Sequence, residues 1–270
     1  MQSLLVYADG SPDNHARLQA ALDIARLTNG HITLHINTPL RRFMTMDPFG
    51  GSYFLATAFA EAEKDERELI ALLSSQLAKD DVPWDCRTSS GIPSEELSTA
   101  SMLSDLIVMA LNHAGTDSSP DAVQLVGDVV LAARCPVLAV PAIAEPLFIT
   151  GTAMIAWSGT VEAAGALRAA VPLLARAKAV KLVTIVDSPG LFPSTDAARY
   201  LSRHGIHAEL VERPRDAQGI AVALEDAAQS LHADWIVMGA YGHSRFRETI
   251  FGGVTQRFLD SARYPVLLNH

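Results

Sequence analysis

The residues best suited to forming a ligand site are four glycines that follow one apolar stretch of the sequence. Gly239 and Gly242 follow the apolar run "DWIVM", and Gly252 and Gly253 come next. Glycine lacks a β-carbon, so the chain can turn with a positive φ and a ligand can approach the backbone. Free backbone N–H groups at the start of a helix form an anion-binding site. The spacing predicts a phosphate-binding loop, with a plain tight turn as the alternative.

Side chains near these glycines also suit a phosphate. Thr255 adds a hydroxyl donor within the first turn of the expected helix, and Arg245 and Arg247 can offset phosphate charge. His243 can approach a phosphate too. The alternative is a solvated loop histidine, because the sequence shows no partner base beside it. No Gly-Lys-Ser/Thr follows, so the loop is not a Walker loop.

The composition favours a folded, acidic protein. Hydrophobic residues make up 49% of the 270 residues and the formal net charge is −9, which argues against nucleic acid or an anionic membrane as a partner. Only Cys86 and Cys135 occur, so a disulfide framework is excluded and a reducing, cytoplasmic location is expected. The start "MQSLLVYADGS" lacks a basic n-region and a long apolar h-region, so we expect a strand there and no signal peptide.

The sequence repeats itself once. The segment that begins "DLIVM" at Asp105 matches the one that begins "DWIVM" at Asp234, an offset of 234 − 105 = 129 residues. The openings "LLVYADGS" and "AMIAWSGT" match at an offset of 149. A long unit that occurs twice is typical of tandem domains. Prolines 141 and 146 interrupt the apolar pattern between the copies, which predicts domains at residues 1–143 and 144–270.

Each copy alternates strands and helices, and these elements must position the glycines. In the second half, strands are predicted at 153–157, 180–186, 207–212, 234–238 and 265–269, and helices at 160–178, 194–205, 219–233 and 253–262. Pro172 falls inside the first of these helices. The pattern indicates two tandem five-stranded, parallel, doubly wound Rossmann-like α/β domains. Ligands bind beyond the carboxyl ends of such strands, where Met238 leads into the glycines.

The sequence resembles the universal stress protein family in its tandem, two-domain form. The resemblance rests on "VYADGS", "VMGAYGHSRFRETIFGGVT" and "ARYPVLL", extends over essentially the whole chain, and implies a fold like that of adenine nucleotide alpha hydrolases. The family pattern is glycine, two residues, glycine, nine residues, glycine, then Ser or Thr. Gly239, Gly242 and Gly252 fit it. Gly253 departs from it, while Thr255 keeps the second hydroxyl position.

The resemblance implies that the two halves differ in their nucleotide-binding residues. In ATP-binding members, an Asp at the end of the first strand holds the nucleoside. Asp9 matches that residue, but Ser158 stands there in the second half. In the first half the glycines and the position after them are replaced by Ala110, His113, Val123 and Gln124. We therefore expect a degenerate nucleotide motif in the first domain and one adenine-nucleotide site, for ATP with or without Mg²⁺, in the second.

The expected site combines the two sources of evidence, the glycine spacing and the resemblance. Its residues are Ser158, Gly159, Thr160, Val186, Asp187, Met238, Gly239, Gly242, His243, Arg245, Gly252, Gly253, Val254 and Thr255. Asp187 is included as a substitute for the missing carboxylate. No residue is assigned a catalytic or metal-binding role, because none of the nine histidines shows zinc-site spacing with a second pair.

Three functions compete at this stage. The first is a cytoplasmic nucleotide-binding protein of stress response or signalling, with at most weak ATP hydrolysis. The second is an interaction or scaffold protein with degenerate pockets. The third, a nucleotide-hydrolysing enzyme, ranks last because Glu248 is the only carboxylate between residues 239 and 255. The resemblance also implies that "PVLAV" and "PVLLN" join the halves as an intramolecular pseudo-dimer, with a homodimer as a further expectation.

Overall fold

The computed structural model describes residues 1–9, 11, 14–38, 52–111, 121–142, 147–186, 192–215, 217–240 and 253–270. The strands in these ranges are β1 (Ser3–Ala8), β2 (His31–Asn37), β3 (Trp84–Ser89), β4 (Leu106–Leu111), β5 (Val137–Pro141), β6 (Thr152–Ala156), β7 (Ala179–Val186), β8 (Ala208–Pro214), β9 (Trp235–Gly239) and β10 (Val266–Asn269). The α-helices are α1 (Asn14–Thr28), α2 (Ser52–Leu77), α3 (Pro93–Ala100), α4 (Asp121–Ala132), α5 (Val161–Leu174), α6 (Ser194–Arg203), α7 (Ile220–Ser230) and α8 (Gly253–Ser261).

The strands form one ten-stranded sheet in the order β3-β2-β1-β4-β5-β10-β9-β6-β7-β8. Within each half the five strands are parallel and follow the same order, which confirms the predicted repeat of a five-stranded parallel sheet. The halves meet where β5 and β10 pair in antiparallel fashion, with Leu138 opposite Leu267. The sheet is therefore continuous across the repeat.

Helices cover both faces of this sheet, as a doubly wound fold requires. On one face the core includes side chains of α1, α2, α5 and α6, and on the other it includes side chains of α3, α4, α7 and α8. Strand β4, with the sequence LIVMAL, is buried at every position. A strand covered on both faces needs a continuous apolar run, because alternating polar and apolar residues would place polar side chains in the core.

The aspartate that opens each repeated segment holds the start of a neighbouring strand. The Asp105 carboxylate accepts hydrogen bonds from the backbone N–H groups of Gln2 (2.6 Å) and Ser3 (3.1 Å). The Asp234 carboxylate accepts one from Thr152 N–H at 2.6 Å. Burial alone raises the pKa of Asp105, but the two backbone donors outweigh it and the pKa lies below its ordinary value. The repeat therefore preserves a structural contact at these positions.

The predicted elements of the second half agree with the structure to within a few residues. The first helix contains Pro172 and ends at Leu174, earlier than predicted. The last helix begins at Gly253, as predicted, and ends at Ser261. None of the described helices is long and apolar enough to cross a membrane.

Candidate functional site

The carboxyl ends of β6, β7 and β9 bring three predicted site regions to one edge of the second half. Ser158 lies two residues beyond β6, Val186 is the last residue of β7, and Gly239 is the last residue of β9. These strands are parallel neighbours, and Ala156 pairs with Met238. Parallel strands end at the same edge of a sheet, so the edge is built from all three regions.

The turn between β6 and α5 presents two hydroxyl groups. Gly159 has a φ of +69°, a conformation that suits glycine. Thr160 caps α5, where its Oγ1 accepts a hydrogen bond from Ala163 N–H at 3.3 Å. The Oγ of Ser158, an exposed residue, lies 3.2 Å from Thr160 Oγ1. This turn can offer neutral hydrogen-bonding groups to a ligand, and it carries no carboxylate at position 158.

The missing side chain of Gly239 serves the packing of α5. A β-carbon at Gly239 would meet the backbone nitrogen of Ala163 and lie 2.5 Å from the carbonyl carbon of Glu162. Positive φ values among the described glycines occur at other positions, so the expectation of a positive φ is wrong for Gly239. The structure instead shows that the start of α5 passes too close to this backbone for any side chain.

No described residue closes off the start of α8 at Gly253. A β-carbon there would meet no other described atom within 4 Å, and Gly253 itself is exposed. The unpaired N–H groups and the positive end of the helix dipole at such a terminus favour an anion. Thr255 is buried, so its hydroxyl is less accessible than the sequence suggests. Gly253 is therefore the exposed residue of this helix start, and Val254 is partly buried against the core.

Part of the expected site lies outside the described residues. This applies to Asp187, Gly242, His243, Arg245 and Gly252. Their roles remain predictions. Among the residues that the structure describes, no group of three or more His, Cys, Asp or Glu side chains could hold a metal ion.

In the first half, the carboxylate that the resemblance assigns to a nucleoside is held by the protein itself. Arg17 of α1 forms an ion pair with Asp9, and its Nη1 lies 3.3 Å from Asp9 Oδ2. Ser11 donates to the same carboxylate through its backbone N–H at 3.0 Å. Burial by itself raises the pKa of Asp9, but the charge of Arg17 and these hydrogen bonds lower it below its ordinary 3.8.

The second half has lost both members of this ion pair. At the offset of 149 residues, Ser158 corresponds to Asp9, and Ala166, which is fully buried in α5, corresponds to Arg17. Sequence reasoning noted the first replacement and missed the second. The available signal was Arg17 itself, a charged residue followed directly by the buried Leu18 on the apolar face of α1.

The first-half counterparts of the glycines are consistent with a degenerate motif. Val123, which corresponds to Gly252, is partly buried and packs against the core. Gln124, in the place of Gly253, is exposed, and Ala110, in the place of Gly239, is buried. His113 lies outside the described residues. A branched side chain therefore stands where the motif has a bare backbone.

Comparison with known proteins supports a family for the second half. Residues 151–270 match the universal stress protein family. A search of curated proteins found no significant match. This family match covers the β6 turn, the end of β9 and the start of α8, which are the described parts of the expected site.

Solved structures share the fold over both halves. A universal stress protein from Archaeoglobus fulgidus DSM 4304 is similar at 14% identity and a TM-score of 0.74, with 99% of this chain and 96% of the other covered. A putative universal stress protein from Pseudomonas aeruginosa UCBPP-PA14 is similar at 19% identity and a TM-score of 0.61, with 100% and 93% covered. A functionally unknown protein from Pseudomonas aeruginosa PAO1 is similar at 18% identity and a TM-score of 0.60, with 100% and 92% covered.

Proposed function

We propose that the second half, whose residues 151–270 match the universal stress protein family, binds an adenine nucleotide, ATP, and that the protein acts in stress response or signalling. The observation that carries the proposal is the open start of α8. A β-carbon at Gly253, the first residue of this helix, would meet no described atom within 4 Å. A helix start of this kind can bind a polyphosphate, because its backbone N–H groups can reach the phosphate oxygens.

Other described groups support the same ligand. Ser158 places an exposed hydroxyl at the neighbouring turn, where it can hydrogen-bond a sugar, while the Thr160 hydroxyl beside it is buried and caps α5. Val186, the exposed last residue of β7, supplies apolar surface at the same edge for the base, whereas Met238 is buried. The residues present fit ATP with or without Mg²⁺, because the ion would bind phosphate oxygens and needs few protein carboxylates.

The proposed arrangement of the chain is a pair of domains, residues 1–143 and 144–270, that act as an intramolecular pseudo-dimer. The antiparallel pairing of Val137–Pro141 with Val266–Asn269 supports this arrangement. Further association into a homodimer is also proposed. The two free cysteines and the family membership favour a cytoplasmic location.

A second candidate function is an interaction protein that binds no nucleotide. Three apolar side chains near the second-half edge favour it, because Val161, Val186 and Phe192 are 74%, 58% and 59% exposed. The backbone N–H of Phe192 donates to Gly159 O at 3.2 Å, which places Phe192 beside the β6 turn. Exposed apolar groups in one region are typical of a surface that binds another protein.

Nucleotide analysis of the purified protein separates the two candidates. The protein is denatured, the supernatant is analysed by nucleotide chromatography, and the refolded or nucleotide-stripped protein is titrated with ATP by calorimetry. Stoichiometric adenine nucleotide, or saturable binding of added ATP, supports the first function. The absence of both results would exclude ATP binding and leave the interaction protein as the better account.

A further inference from the structure

Strand β8 (Ala208–Pro214) lies at one end of the sheet. It pairs in parallel with β7, and no other described strand pairs with it. Four of its seven residues are exposed, namely Glu209, Leu210, Glu212 and Pro214. An edge strand of this kind carries a row of unpaired backbone N–H and C=O groups, which can pair with another strand.

Charged residues at a sheet edge usually oppose pairing with another strand, but those of β8 are complementary to each other. Glu209 and Arg213 lie at equal distances from Val211, the central residue of the strand. When β8 is placed antiparallel to a second copy of itself with all seven residues paired, Val211 faces its own copy and Glu209 faces the partner's Arg213. The two-fold symmetry forms this pair twice. Opposite charges directly across two strands stabilise their pairing.

Glu209 and Arg213 are both able to make this contact, because alternate residues put them on the same face of β8. Glu209 Oε2 accepts a hydrogen bond from Lys181 Nζ of β7, and the Glu209 side chain is still 58% exposed. Arg213 has no ion-pair partner among the described residues. The partner's Arg213 therefore extends a row of alternating charges that begins with Lys181 and Glu209.

The strand at the other end of the sheet, β3 (Trp84–Ser89), is a poorer match for itself. It has six residues, so full antiparallel pairing places Asp85 opposite Thr88. These two side chains would point to opposite faces of a sheet that is joined about a two-fold axis perpendicular to it. A register that pairs Asp85 with Arg87 aligns the faces but leaves Ser89 unpaired. In β8, full overlap, aligned faces and paired charges occur in one register.

We propose that two copies of this chain form a homodimer in which β8 pairs antiparallel with β8, about a two-fold axis that passes through Val211. The chain already joins its own halves by antiparallel pairing, of β5 with β10. A second copy fits this edge better than an unrelated strand, because it supplies both the cation that faces Glu209 and the carboxylate that faces Arg213. The inference rests on the homodimer included in the proposed function and gives its interface, and it does not depend on nucleotide binding.

Charge reversal tests the interface in the full-length protein. Sedimentation over a concentration series measures the dissociation constant of the dimer. Glu209→Lys and Arg213→Glu each place like charges opposite each other twice, so each should weaken the dimer at least tenfold. A mixture of the two variants should recover the dimer, because every charge then faces its opposite. Arg87→Glu, on the edge strand β3, is the matched control and should leave the dissociation constant unchanged.

A cysteine at the centre of β8 tests the register. Residues that face their own copies in antiparallel strands have Cα atoms about 4.5–5.5 Å apart, within the range of a disulfide. Oxidised Val211→Cys should therefore give a covalent dimer on a non-reducing gel. Leu210→Cys faces the partner's Glu212 and should not. The unmodified protein, with Cys86 and Cys135, gives the background.

Three results would overturn the proposal. One is a chain that stays monomeric at every concentration, including one that binds another protein through β8. Another is a dimer that both charge reversals leave unchanged while circular dichroism shows them folded, which would place the homodimer interface elsewhere. The third is a dimer that Arg87→Glu weakens and Arg213→Glu does not, which would place it at β3. If one reversal fails to fold, the other reversal and Val211→Cys decide. Titration of the same samples with ATP reports separately on the nucleotide proposal.

Discussion

The guanidinium of Arg17 forms an ion pair with the carboxylate of Asp9 at the carboxyl edge of the first half. Their counterparts in the second half, Ala166 and Ser158, carry no charge. The first copy therefore has a carboxylate with an internal cation, and the second copy has neither. The joint difference is expected physically, because Arg17, whose side chain is 3% exposed, would be left buried without a partner if Asp9 were absent.

The ion pair predicts a strong effect of Arg17→Ala on stability. Removing one partner of a fully buried pair costs about 3–5 kcal/mol, and we expect a smaller loss of roughly 2 kcal/mol because Asp9 is 34% exposed. The double variant Asp9→Ser, Arg17→Ala reproduces the second half and should recover much of this loss. Urea unfolding monitored by circular dichroism measures both. Equal losses in the single and double variants would contradict the prediction.

The same pair predicts how stability depends on pH. The pKa of Asp9 is lower in the folded protein than its ordinary value of 3.8. A lowered pKa gives stability that is present above the unfolded value and is lost as the pH falls through the folded value. The destabilisation caused by Arg17→Ala should therefore be largest near neutral pH and should shrink below about pH 4. Urea unfolding of both proteins between pH 7 and pH 3 tests this trend.

The open start of α8 predicts opposite effects of Gly253→Asp on binding and folding. The side chain fits, since it meets no other described atom nearby, and a carboxylate at a helix start stabilises the helix by about 0.3–1 kcal/mol. The same charge repels phosphate, so ATP binding should fall at least tenfold. Gly253→Asn is the neutral control of similar shape, and Gly253→Ser should retain or improve binding. Calorimetry gives the affinities, and unchanged binding by the Asp variant would argue against phosphate at this helix.

The close approach of α5 predicts that Gly239→Ala destabilises the fold. The added carbon would overlap the backbone of Glu162 and Ala163, and overpacking of this kind costs roughly 1–3 kcal/mol. Gly253→Ala, at the open start of α8, is the matched control and should leave the stability nearly unchanged. Thermal and urea unfolding compare the two variants. Equal stability of the two variants would show that packing against α5 does not require glycine at position 239.

The strand contact of Asp234 predicts a loss of stability when this residue is replaced. Asp234→Ala removes the acceptor for Thr152 N–H and leaves a part-buried donor unpaired, at a cost of about 1–3 kcal/mol. Asp260→Ala, a change at an exposed aspartate of α8, is the control and should cost much less. Hydrogen exchange of the backbone amides at the start of β6 shows whether the loss of stability is local to this strand. Unaltered exchange of Thr152 would contradict the role assigned to Asp234.

The sequence by itself determined the features that depend on local pattern. The repeat could be recognised because the aligned segments retain Asp105 and Asp234, which accept hydrogen bonds from the corresponding backbone N–H groups of Ser3 and Thr152. Parallel strands could be predicted from the sequence because burial on both faces requires continuous apolar runs. The start of α8 at Gly253 followed from glycine placed ahead of a helical segment.

Only the tertiary structure decided what individual residues contact. A β-carbon at Gly239 would meet the start of α5, and this could not be predicted because the distance between a strand end and a helix packed against it is not encoded in local spacing. Arg17 meets Asp9, 8 positions away in the chain, and His35 and Asn37 meet Ser89, 54 and 52 positions away, because the fold brings these residues together. Charge balance and hydrogen bonding act between neighbours in space, and the chain order alone does not identify those neighbours.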